Sequence, residues 1–378
     1  MKNFMKKNLI TLIVFFSIPI IMLKSPLLGN KNNIPKYFDQ DFQKGIIEEV
    51  LFEELELDES VPERYNGKQI VKVKVASGNY KDQIYESTNL LTRSHNVLCE
   101  KNMKVVVGIR ECDDGPQIWI YNYRRELTIY WLVGIFIGLL VLFGGMKGFR
   151  SALSLIFTGV IIIFILVPRL FSGSSAILAT IELISITVVV SFVLISGWNR
   201  KTLVAILGTL GGIITAGIIS YVAGSLTQLS GINMKQGDQL AYMVQGYGID
   251  ISGLMFSAIL ISSIGAVMDV AMSISSAIYE IKFLNKNLSK KDLFISGMNV
   301  GKDIMGTMSN TLILAFTGGS LTTIMLMYGY QLKYLQFINL QDIAIDMIQG
   351  FSGSIGIILT VPITALISVY LLDEKIEN

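Results

Sequence analysis

The stretch Ile251–Ile281, ISGLMFSAILISSIGAVMDVAMSISSAIYEI, decides the fold. Its thirty-one residues carry two charges, Asp269 and Glu280. A helix needs about 20 predominantly apolar residues to cross the hydrocarbon core of a bilayer. This segment therefore predicts a transmembrane helix with an acid inside it. Six further runs after residue 126 read the same way: Leu127–Gly145, Ser151–Val167, Ala176–Ser196, Leu203–Leu226, Ile304–Tyr328 and Ser352–Leu372. Near the start, Lys2, Lys6 and Lys7 precede the apolar run Leu9–Leu23. That pattern suits a signal anchor over residues 1–23, and Lys24-Ser25-Pro26 is no A-x-A-like cleavage site. Eight crossings are expected.

Composition agrees. Hydrophobic residues make up 52% of the 378, and charged residues 16%, where soluble domains carry about 25%. Mean hydropathy is +0.56. A net charge of +2 gives no basic excess for nucleic acid. Cytoplasmic loops collect Lys and Arg. With the N-terminus inside, the cytoplasmic pieces hold thirteen of them and the short external loops three, Arg169, Lys235 and Lys333. This alternation predicts a membrane protein with both termini cytoplasmic and residues 24–126 extracytoplasmic.

Residues 24–126 differ in character. Gln69–Ala76 (QIVKVKVA) alternates Val71, Val73 and Val75 with lysines, which predicts a half-buried strand. Met103–Ile109 and Ile118–Tyr123 predict two more, with a turn at Asp113-Asp114-Gly115-Pro116 between them. Ile46–Leu57 fits helix and strand spacing alike. A small β-rich, barrel-like or sandwich domain is expected here, followed by a seven-helix membrane domain over residues 127–378. The fold class is thus an all-α membrane bundle with an added β domain. His95, Cys99 and Cys112 are too few for a structural zinc site, so neither metal nor cofactor is expected.

Chemistry concentrates on two spans. Ser262, Gly265, Asp269, Ser273, Ser276 and Glu280 follow steps of three and four along Ile251–Ile281 and share one helix face. Asp269 lies twelve residues from Ile281, roughly 18 Å at the helical rise, near mid-bilayer. Intramembrane acids mark solute or ion pathways by default. Asp303, Thr307, Asn310 and Thr317 form a second polar face, interrupted by Leu314. The two spans are expected to be antiparallel neighbours, joined by a basic loop of about twenty residues, with polar faces together. The pattern points to a permease-type protein for an ion or small polar solute. Asp269 would titrate or bind a cation, Asn310 and Thr307 would orient it, and Asp303 and Glu280 would form a cytoplasmic vestibule, with Ser273 and Thr317 on the same faces. A satisfied polar cluster joining two helices is the plainer reading of these residues. Gly208, Gly212, Ala216, Ser220 and Gly224 recur every four residues, a spacing that lets helices pack closely within the bundle or between copies in a homo-oligomer. Gly134 and Gly138 read the same way. Glu182 lies near the external end of its span.

No enzyme motif stands. Gly297–Asp303 is one residue short of a phosphate-binding loop, with Asp303 where a Ser or Thr belongs. An aspartyl protease needs two facing acids, and on these span boundaries Asp269 and Asp303 differ in depth by roughly 15–20 Å. A non-transport scaffold whose external domain binds an envelope partner is the competing function.

Four segments carry a family resemblance. They are Gly265–Ile274 (GAVMDVAMSI) followed by Glu280, Gly301–Leu312 (GKDIMGTMSNTL), Gly197–Lys201 (GWNRK) and Gln69–Asn89. Together they resemble the YibE/F-like family of bacterial membrane proteins, over nearly the whole chain. The resemblance implies a multi-pass plasma-membrane protein with an extracytoplasmic domain near its N-terminus, and no settled activity. Where the family pattern suggests a glycine after Lys81, this chain has Asp82.

Overall fold

The computed structural model describes residues 13–15, 17, 18, 20, 41–112, 115–243 and 249–372. The chain divides into two compact units, Ile34–Leu139 and Met1–Asn33 with Leu140–Asn378.

The first unit is a five-stranded antiparallel sheet: β1 (Asp41–Leu57), β2 (Tyr65–Val75), β3 (Ile84–Leu91), β4 (Lys104–Cys112) and β5 (Gly115–Tyr123). Their order across the sheet is β3-β2-β1-β4-β5. The ambiguous Ile46–Leu57 is part of β1, and β3 was not foreseen. β1 has register irregularities between Ile47 and Glu49 and between Val50 and Phe52. Irregularities of this kind bend and twist a strand. β1 thereby pairs with β2 along most of its length and with β4 through Asp41–Ile46. The Ser87 hydroxyl on β3 donates to the Ile118 carbonyl on β5 at 2.9 Å, so the two edge strands approach and the sheet is a partly closed barrel.

Ile47, Val71, Val73, Val75, Val105 and Val107 fill the barrel. Gln69 and Asn89 lie inside it and hold the irregular segment after β3. Asn89 Nδ2 donates to the Val97 carbonyl at 2.7 Å, and the Cys99 amide donates to Gln69 Oε1 at 2.9 Å. Asp82 adopts φ 66°, the left-handed region that glycine favours and Asp tolerates. This explains how the turn survives without the glycine, and the Lys74 ammonium lies 3.2 Å from the Asp82 carboxylate. Cys99 and Cys112 are free thiols.

The second unit is helical. We number its helices with α1 (Glu126–Phe171), which begins in the first unit, then α2 (Ala176–Ser196), α3 (Arg200–Leu226), α4 (Gly237–Met243) and α5 (Ile251–Leu284). After these come α6 (Lys290–Gly319), α7 (Leu321–Gly329), α8 (Tyr334–Ile338) and α9 (Gln341–Leu371). Five helices are long and apolar enough to cross a membrane, six if the bent pair α6–α7 is one span. The expected count of eight is higher for two reasons. The anchor Leu9–Leu23 lies mostly outside the described residues, though Val14 is buried in a cluster with Leu153, Phe157 and Leu194. Two expected spans share α1, whose helix is broken at Gly145 (φ 54°, ψ −135°). A Cβ on Gly148 would sit 1.9 Å from the Leu140 carbonyl oxygen. Residues eight apart in a continuous helix lie about 12 Å apart along the axis, so the chain doubles back there.

Two boundaries also move. α6 starts at Lys290, not Ile304, with Ser289 Oγ accepting from the Asp292 amide at 3.1 Å. The joint between α5 and α6 is therefore 285–289 instead of a twenty-residue loop. α9 starts eleven residues before the expected Ser352. Pro362 sits inside α9, and the helix runs through it.

Candidate functional site

α5, α6, α9 and α3 form the centre of the helical unit, with α9 against α3, α6 and α5. Glycines set these contacts. A Cβ on Gly297 would meet Ile278 at 2.4 Å, and one on Gly301 would meet Val361 at 2.2 Å and Ile274 at 3.3 Å. A Cβ on Gly353 would meet both Leu312 and Ser263. In each case the α5 and α6 numbers place the helices antiparallel in one register, which sets Asp269 level with Gly306.

Asp303 is then three residues from the level of Asp269, about 4.5 Å along the axis. The depth difference of 15–20 Å expected from sequence does not hold. The cause is the short 285–289 joint: both helices continue beyond their apolar runs, so the polar start of α6 lies alongside α5. No hydrogen bond or ion pair joins the two acids among the described residues.

The polar faces are placed differently from expectation as well. The α5–α6 contact is made by Ile274, Ile278, Gly297 and Gly301. Asp269 lies five residues from Ile274, about 140° round the helix. Ser262, Gly265, Asp269, Ser273 and Glu280 are exposed, as are Asp303, Thr307, Asn310 and Thr317. The two stripes therefore open at the outer surface of the helix pair and do not close on each other. The Thr307 and Thr317 hydroxyls donate to their own helix, to the carbonyls of Ile304 at 2.9 Å and Ile313 at 2.8 Å. No cation pairs with Asp269 among the described residues.

This surface differs from the rest of the helical unit. Between Ile251 and Lys282, α5 has no large hydrophobic side chain among its exposed residues. By contrast α2 exposes Leu178 and Ile186, α3 exposes Ile214 and Ile218, and α9 exposes Ile358 and Leu366.

Other expected residues take structural places. Gly208 and Gly212 lie against Thr364 and Thr360 of α9, Ala216 against Gly356, and Gly224 against Phe256 of α5. Ser220 is buried on the same side. Gly134 and Gly138 have nothing within 4 Å of an added Cβ. Glu182 pairs with Arg169 at 2.8 Å. Asn199 in the GWNRK segment caps α3, accepting from the Thr202 amide at 2.8 Å. A cavity of about 330 Å³ among Ile177, Ile181, Leu210, Ile214 and Phe256 is almost wholly apolar and offers no group that would hold a charged solute.

Sequence reasoning missed Asp346, Gln349 and Ser320. Gln349 Nε2 donates to Ser262 Oγ at 3.4 Å, so α9 adds to the polar surface of α5. The Ser320 hydroxyl, at the 57° bend between α6 and α7, is hydrogen-bonded to the Asp346 carboxylate. A signal was available: Ile343, Met347, Phe351, Ile355 and Leu359 recur every four residues and carry the helix upstream past Asp346.

The model of the YibE/F-like protein family matches residues 132–374. Neither a search of curated proteins nor one of solved structures finds a match.

Proposed function

This chain belongs to the YibE/F-like family, and from that premise we propose that it is a permease-type membrane protein for an ion or small polar solute. The observation that supports this is the outer surface of α5 and α6. It exposes Ser262, Asp269, Ser273 and Glu280 on α5 with no large hydrophobic side chain between Ile251 and Lys282, and Asp303, Thr307 and Asn310 on α6, where Leu314 is also exposed. A carboxylate at mid-depth costs about 2.5–3.5 kcal/mol on insertion scales and must face water or protein. From Ser262 to Glu280 the stripe extends about 27 Å, close to the thickness of the hydrocarbon core. Asp269 is the central acid in this reading, with Asp303 at nearly the same depth and so no longer part of a cytoplasmic vestibule, while Asn310 and Thr307 orient the solute and Glu280 forms the vestibule. The reading assigns no catalytic step. It places the chain in a plasma membrane, with both termini cytoplasmic and the β unit outside, on the excess of Lys and Arg in the cytoplasmic pieces, from which Lys302, inside α6, is now removed.

The test is a thermal-shift screen of the purified chain against ions, pH and small metabolites, with Asp269→Asn alongside. A stabilising solute whose effect is lost in the variant supports the proposal. Unchanged responses and unchanged growth phenotypes in Asp269→Asn sink it.

One observation favours the competing role as a platform for an envelope partner. Phe42 and Tyr121 are exposed, with ring centroids 4.6 Å apart, and Trp119 is 6.4 Å from Phe42. Beside them is an opening of about 300 Å³ lined by Asn89, His95 and Trp119. If Trp119→Ala with Tyr121→Ala in the full chain abolishes a cross-link to an envelope protein while Asp269→Asn is silent, the platform role replaces transport.

A further inference from the structure

The bend between α6 and α7 brings three features together. First, α6 is thirty residues long and ends at Gly319. A helix of that length carries roughly half a negative charge at its C-terminal end. Second, the Asp346 carboxylate of α9 lies at this end, hydrogen-bonded to Ser320. Like signs thus meet, and among the described residues no Lys or Arg pairs with Asp346. Third, a cavity of about 240 Å³ opens beside the pair, lined by Thr317, Ser320, Asp346 and the apolar Phe316, Phe337 and Phe351.

The hydrogen bonds leave the site one donor short. The Ser320 hydroxyl has a single proton, yet it lies within bonding distance of two acceptors, the Phe316 carbonyl at 3.0 Å and the Asp346 carboxylate. The last carbonyls of a helix lack partners further along it, and α6 ends at the 57° bend, as in the broken helices that hold monovalent cations in transporters.

We propose that the α6–α7 break is a binding site for a monovalent alkali cation. Asp346 supplies the charge. Ser320 Oγ and the carbonyl oxygens at the end of α6 supply neutral oxygens, and Thr317 lines the approach. The cavity has room for the ion and several waters, each taking about 30 Å³. No three His, Cys, Asp or Glu side chains gather here or elsewhere among the described residues. One carboxylate among neutral oxygens suits a single positive charge better than a divalent ion. The site stands whether or not Asp269 carries a solute, because the two acids lie on different helices and share no hydrogen bond.

The experiment uses the full chain in detergent, titrated with NaCl or KCl against choline chloride at constant ionic strength. The expected result is a saturable rise in Tm with one alkali ion. Asp346→Asn and Ser320→Ala should abolish or strongly right-shift that rise, and Asp269→Asn should keep it. Ser320→Ala guards against misfolding of the Asp346 variant. Wild-type protein indifferent to alkali ions overturns the proposal. So does a full response in folded Asp346→Asn. Loss of the response in Asp269→Asn alone would move the ion to the α5 surface and also overturn it.

Discussion

Gly212 should not tolerate a single added methyl group. It lies where α3 crosses α9 and α5. A Cβ there would sit 1.8 Å from Thr360 Oγ1, 3.1 Å from Thr360 Cβ and 2.9 Å from Val267 Cγ1. Thr360 cannot swing aside easily. It is β-branched and stiff in a helix, it is buried, and its hydroxyl donates to the Gly356 carbonyl at 2.7 Å. The helices must separate or Thr360 must leave its rotamer, and overpacking of this kind costs about 1–3 kcal/mol. Alanine returns up to about 1 kcal/mol over glycine within a helix. The net for Gly212→Ala is a loss of about 1–2 kcal/mol, which is about 5–30-fold in the folded-to-unfolded ratio. At about 2–4 °C per kcal/mol for a unit of this size, Tm should fall by roughly 2–8 °C. Gly217→Ala is the control on the same helix. Its Cβ would meet only Leu260 Cδ2, at 3.1 Å, the free end of a flexible side chain. Its Tm should stay level or rise. Both are read by intrinsic fluorescence during heating in detergent. Gly212→Ala at or above wild-type Tm, with Gly217→Ala no better, would refute the reasoning that close α3–α9 approach stabilises the bundle.

Two predictions concern the β unit. Burial pushes the Cys99 thiol up to about 12, and a thiol kept protonated is a poor nucleophile. A polar maleimide near neutral pH should label half-buried Cys112 and spare Cys99 until the chain unfolds, and early labelling of Cys99 would contradict this. Asp58 is held down at about 2, first by its hydrogen bond with Arg93, whose Nε lies 2.7 Å away, then by the Ser60 amide. An unfolded Asp titrates near 3.9. The folded state therefore favours the ionised acid, and its stabilisation, complete above about pH 4, should fade as pH drops towards about 2. Arg93→Met should flatten that part of the acid-unfolding curve, followed by fluorescence, and an unchanged curve would remove Arg93 as the cause.

Much of this chain is legible without coordinates. Runs of about twenty apolar residues can satisfy their backbone groups in lipid only as helices. Length and hydropathy therefore gave the helices of the second unit, and period-two valines gave β2. Glycine spacing marked α3 as a packing helix, since a missing side chain is visible in sequence. Asp269 stood out because a charge inside an apolar run is costly wherever it points.

Direction and register were not in the pattern. Sequence periodicity groups Ser262, Asp269 and Glu280 on one face of α5, but which face meets α6 depends on how Gly297 and Gly301 fit Ile274 and Ile278. That fit turned the polar stripe outward and brought Asp303 level with Asp269. Helix ends were equally hidden, because hydropathy falls where a helix leaves the apolar core while its backbone bonds continue. α6 gained its polar first half in this way, and α9 gained Asp346. A hydrogen bond between Ser320 and Asp346, twenty-six residues apart, exists only because two helices and a bend bring them together. The sequence alone determined the apolar cores of the membrane helices and the strand β2, since those rest on each segment's own backbone and side chains. The tertiary structure decided which polar groups meet, because packing chooses one register among several that a helix allows.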